Sequence, residues 1–191
     1  NGTLLNEDKV DELVKAGLTR FNISLNAFSQ ETAGKIAGTP YPLENVKKMC
    51  KYIAKKCDIL LAPVWMSAIN DGDIEKIIKF SLELKKIRPK QKTPIIGVQN
   101  FLEYEHGKMP TKSIEFEEFF QKLELLEKKY KLKLKLSRED FNITQANVLR
   151  KPFDKDDVIQ AVVVCDGKFK NDKLCSAHDR IVSVRTSARE G

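Results

Sequence analysis

Between residues 7 and 136, segments with apolar side chains every three to four positions alternate with short runs of β-branched and apolar residues. That alternation constrains the fold more than any other feature. Helices of ten or more residues between strands make βαβ crossovers, and hence a parallel sheet. The helical segments are residues 7–16, "LENVKKMCKYIAKK" (43–56), "DGDIEKIIKFSLELKKI" (71–87) and "SIEFEEFFQKLELLEKKYK" (113–131). Asn6 is placed to cap the first helix and Gly17 to end it. The strand segments are residues 20–26, "DILLAPVWM" (58–66), "TPIIGVQNF" (93–101) and the alternating "LKLKL" (132–136). The chain opens on a helix with no strand before it, and four parallel strands with an open edge make a poor solitary sheet. The expectation is therefore the C-terminal part of a larger α/β protein.

After "SREDFNITQANVLRK" (137–151) the pattern changes. "DVIQAVVVC" and "RIVSVRT" are rich in β-branched residues, and Asp166–Gly167 is a turn signal. The expected organisation is an α/β domain over 1–137, a linker over 138–150, and a small antiparallel β-barrel or ribbon over 151–191.

One strand departs from the usual pattern. Strands buried on both faces read as continuous apolar runs. "RFNISLN" instead places Phe21, Ile23 and Leu25 on one side and Asn22, Ser24 and Asn26 on the other. Ligands in parallel α/β folds sit at the C-terminal ends of strands, so the polar side is expected to face a polar cavity.

The order of four fragments resembles the C-terminal half of a radical S-adenosylmethionine (SAM) domain over roughly residues 1–105. They are "NGT", "ISLN" at 23–26, Gly38 with Asn45–Val46, and Asn70–Asp71. Asn26 stands where the family more often has Asp. The resemblance implies a partial parallel (β/α)6 barrel that cleaves SAM reductively to a 5′-deoxyadenosyl radical. It implies a [4Fe–4S] cluster on a Cys-x3-Cys-x2-Cys loop upstream of this chain, in a missing N-terminal half. It also implies SAM contacts at Asn1, Thr3, Asn22, Ser24, Asn26 and Gln99, and substrate contacts near Trp65 and Ser67. Asn70 is expected as a helix N-cap.

Glu103, Glu105 and His106 follow the third strand on the active side and are candidates for acid, base or substrate clamp. The β tail resembles the TRAM-like RNA-binding barrels of some tRNA-modifying enzymes, which implies nucleic-acid contacts at Lys168, Lys170, Lys173, Arg180 and Arg185 and an RNA partner. The denser basic blocks are elsewhere, at 85–92 and 128–138. The formal charge of +7 agrees with a polyanionic partner but is small. The alternatives are a nucleic-acid-binding module and a cluster-free α/β-barrel enzyme fragment. Cys50, Cys57, Cys165 and Cys175 fit no metal spacing and are read as thiols of a reducing cytoplasm. No apolar run reaches a membrane span, so a cytoplasmic location is expected.

Overall fold

The computed structural model describes residues 1–103, 110–141, 143–148, 150–167 and 171–186. It divides into two units, Asn1–Thr144 and Gln145–Gly191.

The first unit holds α1 (Glu7–Lys15), β1 (Arg20–Ile23), α2 (Gln30–Ala37), α3 (Leu43–Lys56), β2 (Asp58–Leu61), β3 (Val64–Trp65), α4 (Asp71–Ile87), β4 (Gln99–Asn100) and α5 (Phe116–Tyr130). β1 pairs with β2 in parallel, Arg20 opposite Asp58 and Ile23 opposite Leu61. β3 pairs with β4 in parallel, and a parallel bridge joins Leu61 to Ile96. The sheet thus runs from β1 through 58–65 to 95–100, as the strand/helix alternation requires. The "DILLAPVWM" run is broken at Ala62–Pro63, because proline cannot donate to a ladder.

α3 and α4 each bury one stripe, while α1 and α2 bury only Val10 and Ala33. In α3 that stripe is Leu43, Val46, Met49, Cys50, Ile53 and Ala54, at helical spacing. α3 packs on α1, α4 and β2. Ile53, Ile59, Leu61, Ile77, Ile78 and Leu84 are fully buried, each contributing about 1.5–3 kcal/mol. The caps are local. Asn6 Oδ1 accepts from Lys9 N at 2.9 Å, and Ser29 Oγ accepts from Thr32 N at 3.2 Å. Gly38 ends α2 with φ +66°, a left-handed conformation in which a Cβ is strained.

Two expectations need correction. The alternating "LKLKL" does not form a regular strand. Leu134 is buried and its carbonyl accepts from Val98 N at 3.2 Å. But the Leu134 and Lys135 amides donate to Glu127 Oε1, at 2.6 and 2.9 Å, instead of to a ladder. Asn70 occupies the N-cap position of α4 but makes no side-chain cap bond, because its amide is engaged elsewhere.

The second unit contains β5 (Val162–Asp166), β6 (Asp172–Ala177) and β7 (Arg180–Arg185), an antiparallel sheet in that order. A register shift lies between Val163 and Cys165. His178 and Asp179, both at positive φ, make the two-residue turn between β6 and β7. A Cβ on Gly167 would stand 2.6 Å from Asp172 Cβ, so a larger residue there would crowd the start of β6. Among the described residues this unit is a three-stranded ribbon.

Candidate active site

On β1 the two faces separate as the alternation predicts. Phe21, Ile23 and Leu25 are buried, while Asn22 and Ser24 are exposed and Asn26 is half-buried. The polar face opens into two hollows. A cavity of about 390 Å³ lies beyond the C-terminal end of β1 and brings together Asn1, Thr3, Ser24 and Asn26 with Thr39 and Tyr41. A second hollow, of about 360 Å³, holds Asn22 and Gln99 with Leu60 and Ala62. The expected cofactor residues therefore fall into two groups, one per hollow.

The walls of the first cavity are fixed by hydrogen bonds. Asn1 Oδ1 accepts from Thr3 Oγ1 at 3.1 Å, and Tyr41 OH donates to the Asn1 carbonyl at 3.1 Å. Gln30 Nε2 donates to Tyr41 O at 2.7 Å, tying the 38–42 loop to the start of α2. Thr39 and Tyr41 escape a reading by period. The only sequence signal is the Thr-Pro-Tyr-Pro run after Gly38, whose prolines stiffen the loop.

The cavity floor is held from α4. Asn26 Oδ1 accepts from Val64 N at 3.0 Å. Asn70 Nδ2 donates to the carbonyls of Asn26 and Val64, at 2.7 and 2.8 Å, and its Oδ1 accepts from Met66 N at 2.7 Å. Asn70 is therefore a buried clamp between two strand ends. Asp73 Oδ2 accepts from Phe28 N and Ser29 N, at 2.9 and 3.1 Å, and its Oδ1 pairs with Lys76 at 3.0 Å. Burial alone would raise the Asp73 pKa. The bonds from Phe28, Lys76 and Ser29 outweigh it and hold the carboxyl below its ordinary value.

Residues 1–81 match a family model described as the radical SAM superfamily. That span holds β1, the clamp and the whole lining of the first cavity. Over these residues the chain is similar to the radical SAM superfamily. An uncharacterized protein of Methanocaldococcus jannaschii is 32% identical over 201 residues, 96% of this chain and 46% of that protein. A probable GTP 3′,8-cyclase of Archaeoglobus fulgidus is 27% identical over 135 residues, 68% of this chain and 40% of that protein. Another, from Methanosarcina acetivorans, is 34% identical over 85 residues, 42% of this chain and 25% of that protein. The chain spans less than half the length of each of these relatives.

Radical SAM proteins use SAM and a [4Fe–4S] cluster, and the residues present fit the two unequally. The first cavity offers hydroxyls and amides from Thr3, Ser24, Asn26, Thr39 and Tyr41, with no charged side chain in its lining. That donor set suits ribose hydroxyls better than a carboxylate. The cluster does not fit these residues. Among the described residues no group of three or more His, Cys, Asp or Glu could hold a metal. Cys50, Cys57 and Cys175 are buried free thiols and Cys165 is an exposed one. Burial pushes the Cys50 thiol up to about 12. It also raises Cys57, against the lowering effect of Arg88. A thiol held protonated is a poor iron ligand.

The remaining candidates scatter. Trp65 is buried in the core, its indole N–H donating to Asp71 Oδ1 at 2.7 Å and its ring edge-on to Phe119. That places it in packing, away from the cavity surface. Ser67 is half-buried and its carbonyl accepts from Thr111 Oγ1 at 2.8 Å. Glu103 is exposed. Its Oε1 accepts from the Ser113 amide and hydroxyl, at 2.8 and 3.1 Å, and those bonds lower its pKa. Glu105, His106, Lys168 and Lys170 lie outside the described residues. In the β ribbon Lys173 pairs with Asp166, Arg185 reaches Asp172 at 3.7 Å, and Arg180 donates to the Asp179 carbonyl. Among the described residues no helix is long and apolar enough to cross a membrane.

Proposed function

We infer that this chain supplies the later strands of a radical SAM iron–sulfur enzyme, and that the first cavity holds the adenosyl end of SAM. One observation carries this. In a chain with radical SAM sequence, Thr3, Ser24 and Asn26 converge at the C-terminal end of β1 on a cavity of about 390 Å³, where parallel α/β folds bind ligands. When bound beside a reduced cluster, SAM supplies a 5′-deoxyadenosyl radical. The cluster ligands belong in this reading to cysteines upstream of Asn1.

The work of this chain is binding, orientation and exclusion of water. Ser24 Oγ and the Asn26 amide are placed to hydrogen-bond ribose hydroxyls. Asn70 and Asp73 keep that strand end from shifting. Asn22 and Gln99 line the neighbouring hollow on the same polar face, where a substrate would present the hydrogen to be abstracted. The relatives called probable GTP 3′,8-cyclases make a purine nucleotide a reasonable first substrate to try.

The test uses the full-length protein, reconstituted anaerobically and reduced with dithionite. 5′-Deoxyadenosine should form with SAM present, and Ser24→Ala should cut its rate about tenfold at limiting SAM, the cost of roughly one hydrogen bond. A reconstituted cluster that forms no 5′-deoxyadenosine, with or without nucleotides, would overturn the reading.

A further inference from the structure

The two lysine blocks, at 85–92 and 128–138, are separated by 35 residues in sequence and meet in space. A groove of about 280 Å³ is lined by Lys85, Pro89, Gln91 and Thr93 from one block and its flank, and by Lys131 and Lys133 from the other, with Asp140 the one acid among its walls. Between them the blocks hold eleven cations (Lys85, Lys86, Arg88, Lys90 and Lys92; Lys128, Lys129, Lys131, Lys133, Lys135 and Arg138) and no carboxylate. Thr93 lines the groove and its Oγ1 donates to Asp58, at the start of β2, at 3.3 Å, which places the groove at the strand starts. The SAM cavity lies beyond the strand ends.

The acids nearby mostly hold the backbone of these blocks in place. Asp58 accepts from Arg88 Nε at 2.7 Å and from Lys92 N at 3.1 Å. Gln91 bonds both the amide and the carbonyl of Ile59, at 3.0 and 2.9 Å. Glu127 takes the amides of Leu134 and Lys135. Arg88, Lys129 and Lys133 have carboxylate partners, Asp58, Glu75 and Asp140. Lys85, Lys86, Lys90, Lys92, Lys128 and Lys131 are exposed and have no ion-pair partner among the described residues. The result is a fixed backbone carrying flexible, unneutralised ammonium groups. That suits a phosphate backbone read without sequence.

We propose that this groove is a docking surface for the phosphate backbone of a nucleic acid. It does not depend on the SAM reading. It also locates nucleic-acid binding on the α/β unit, where the cations outnumber their partners. In the β ribbon, Lys173 and Arg185 already face Asp166 and Asp172.

The test measures fluorescence anisotropy of the full-length protein with a labelled 20-nucleotide oligouridylate, and with oligothymidylate of equal length, from 25 to 250 mM salt. Binding should weaken linearly in log–log form. The triple variant Lys85→Glu, Lys90→Glu, Lys131→Glu should bind at least about tenfold more weakly at 50 mM salt, with a slope shallower by about two, the equivalent of three single-strand phosphate contacts. A Lys→Gln set at the same positions should show a smaller loss in the same direction, and unchanged melting temperatures would exclude misfolding. Preference for the ribo-oligomer would assign the surface to RNA; equal binding would leave the backbone itself as what is read. The proposal is overturned if wild type shows no binding at 25 mM salt or if the triple variant binds like wild type. It is also overturned if Arg180→Glu with Arg185→Glu abolishes binding instead. Equal displacement by polyglutamate would point to an acidic protein and overturn it too.

Discussion

The carboxylate of Asp73 belongs by sequence to the first turn of α4, yet it bonds the amides of Phe28 and Ser29 some 45 residues earlier. Asp73→Ala leaves those two amides without their acceptor and should cost about 1–3 kcal/mol at pH 7, read by urea unfolding. The pH dependence has a definite sign. The folded pKa lies below the ordinary carboxylate value of about 3.9, so the stabilisation is fully present above that value. It is lost as pH falls through the lower folded pKa. The gap between wild type and Asp73→Ala should therefore be constant from pH 5 to 8 and narrow at pH 3. The thiols give a second residue-scale prediction. Cys165 is exposed, while Cys50, Cys57 and Cys175 are buried, so a thiol reagent should label one cysteine rapidly in the native chain and the other three only on unfolding. Rapid native labelling of Cys50 would contradict the core packing. The Asn70 clamp was not legible from sequence. An Asn before a helix reads as a cap, and nothing local reveals that two strand ends lie within its reach.

At the scale of elements, legibility followed burial pattern. α1 could be read from its end signals, Asn6 and Gly17, and α3 from an apolar stripe that runs over 14 residues. α2 could not: "QETAGKIA" is short and buries only Ala33, so its period is faint. The "LKLKL" alternation was legible as one buried and one charged face, but the carboxylate that takes its amides, Glu127, lies a turn earlier on α5. Hairpin geometry yields a testable change. Asp179 sits at φ +58° between β6 and β7, a conformation costing a non-glycine residue about 1–2 kcal/mol. Asp179→Gly should raise hydrogen-exchange protection of the paired Ala177 and Arg180 amides; lower protection would show that the Asp side chain stabilises the turn. Gly38→Ala should have the opposite sign, destabilising α2 and the adjoining cavity loop by about 1 kcal/mol, read as a lower melting temperature.

For the whole molecule, the change of pattern after residue 151 pointed to two kinds of structure, an α/β unit and an antiparallel ribbon. The polar face of β1 led to the expectation of a cavity, and Ser24 and Asn26 do meet in one with Asn1 and Thr3. Sequence did not divide that face into two hollows, because which strand end curls toward which loop depends on tertiary contacts through Asn70, Asp73 and Tyr41. The division makes the central claim testable. Equilibrium SAM binding to the full-length protein, by isothermal titration under anaerobic conditions, should weaken about tenfold in Ser24→Ala, about 1.4 kcal/mol. It should stay within about twofold in Asn22→Ala. Equal losses in both, or a loss confined to Asn22→Ala, would contradict the assignment of the first cavity to SAM.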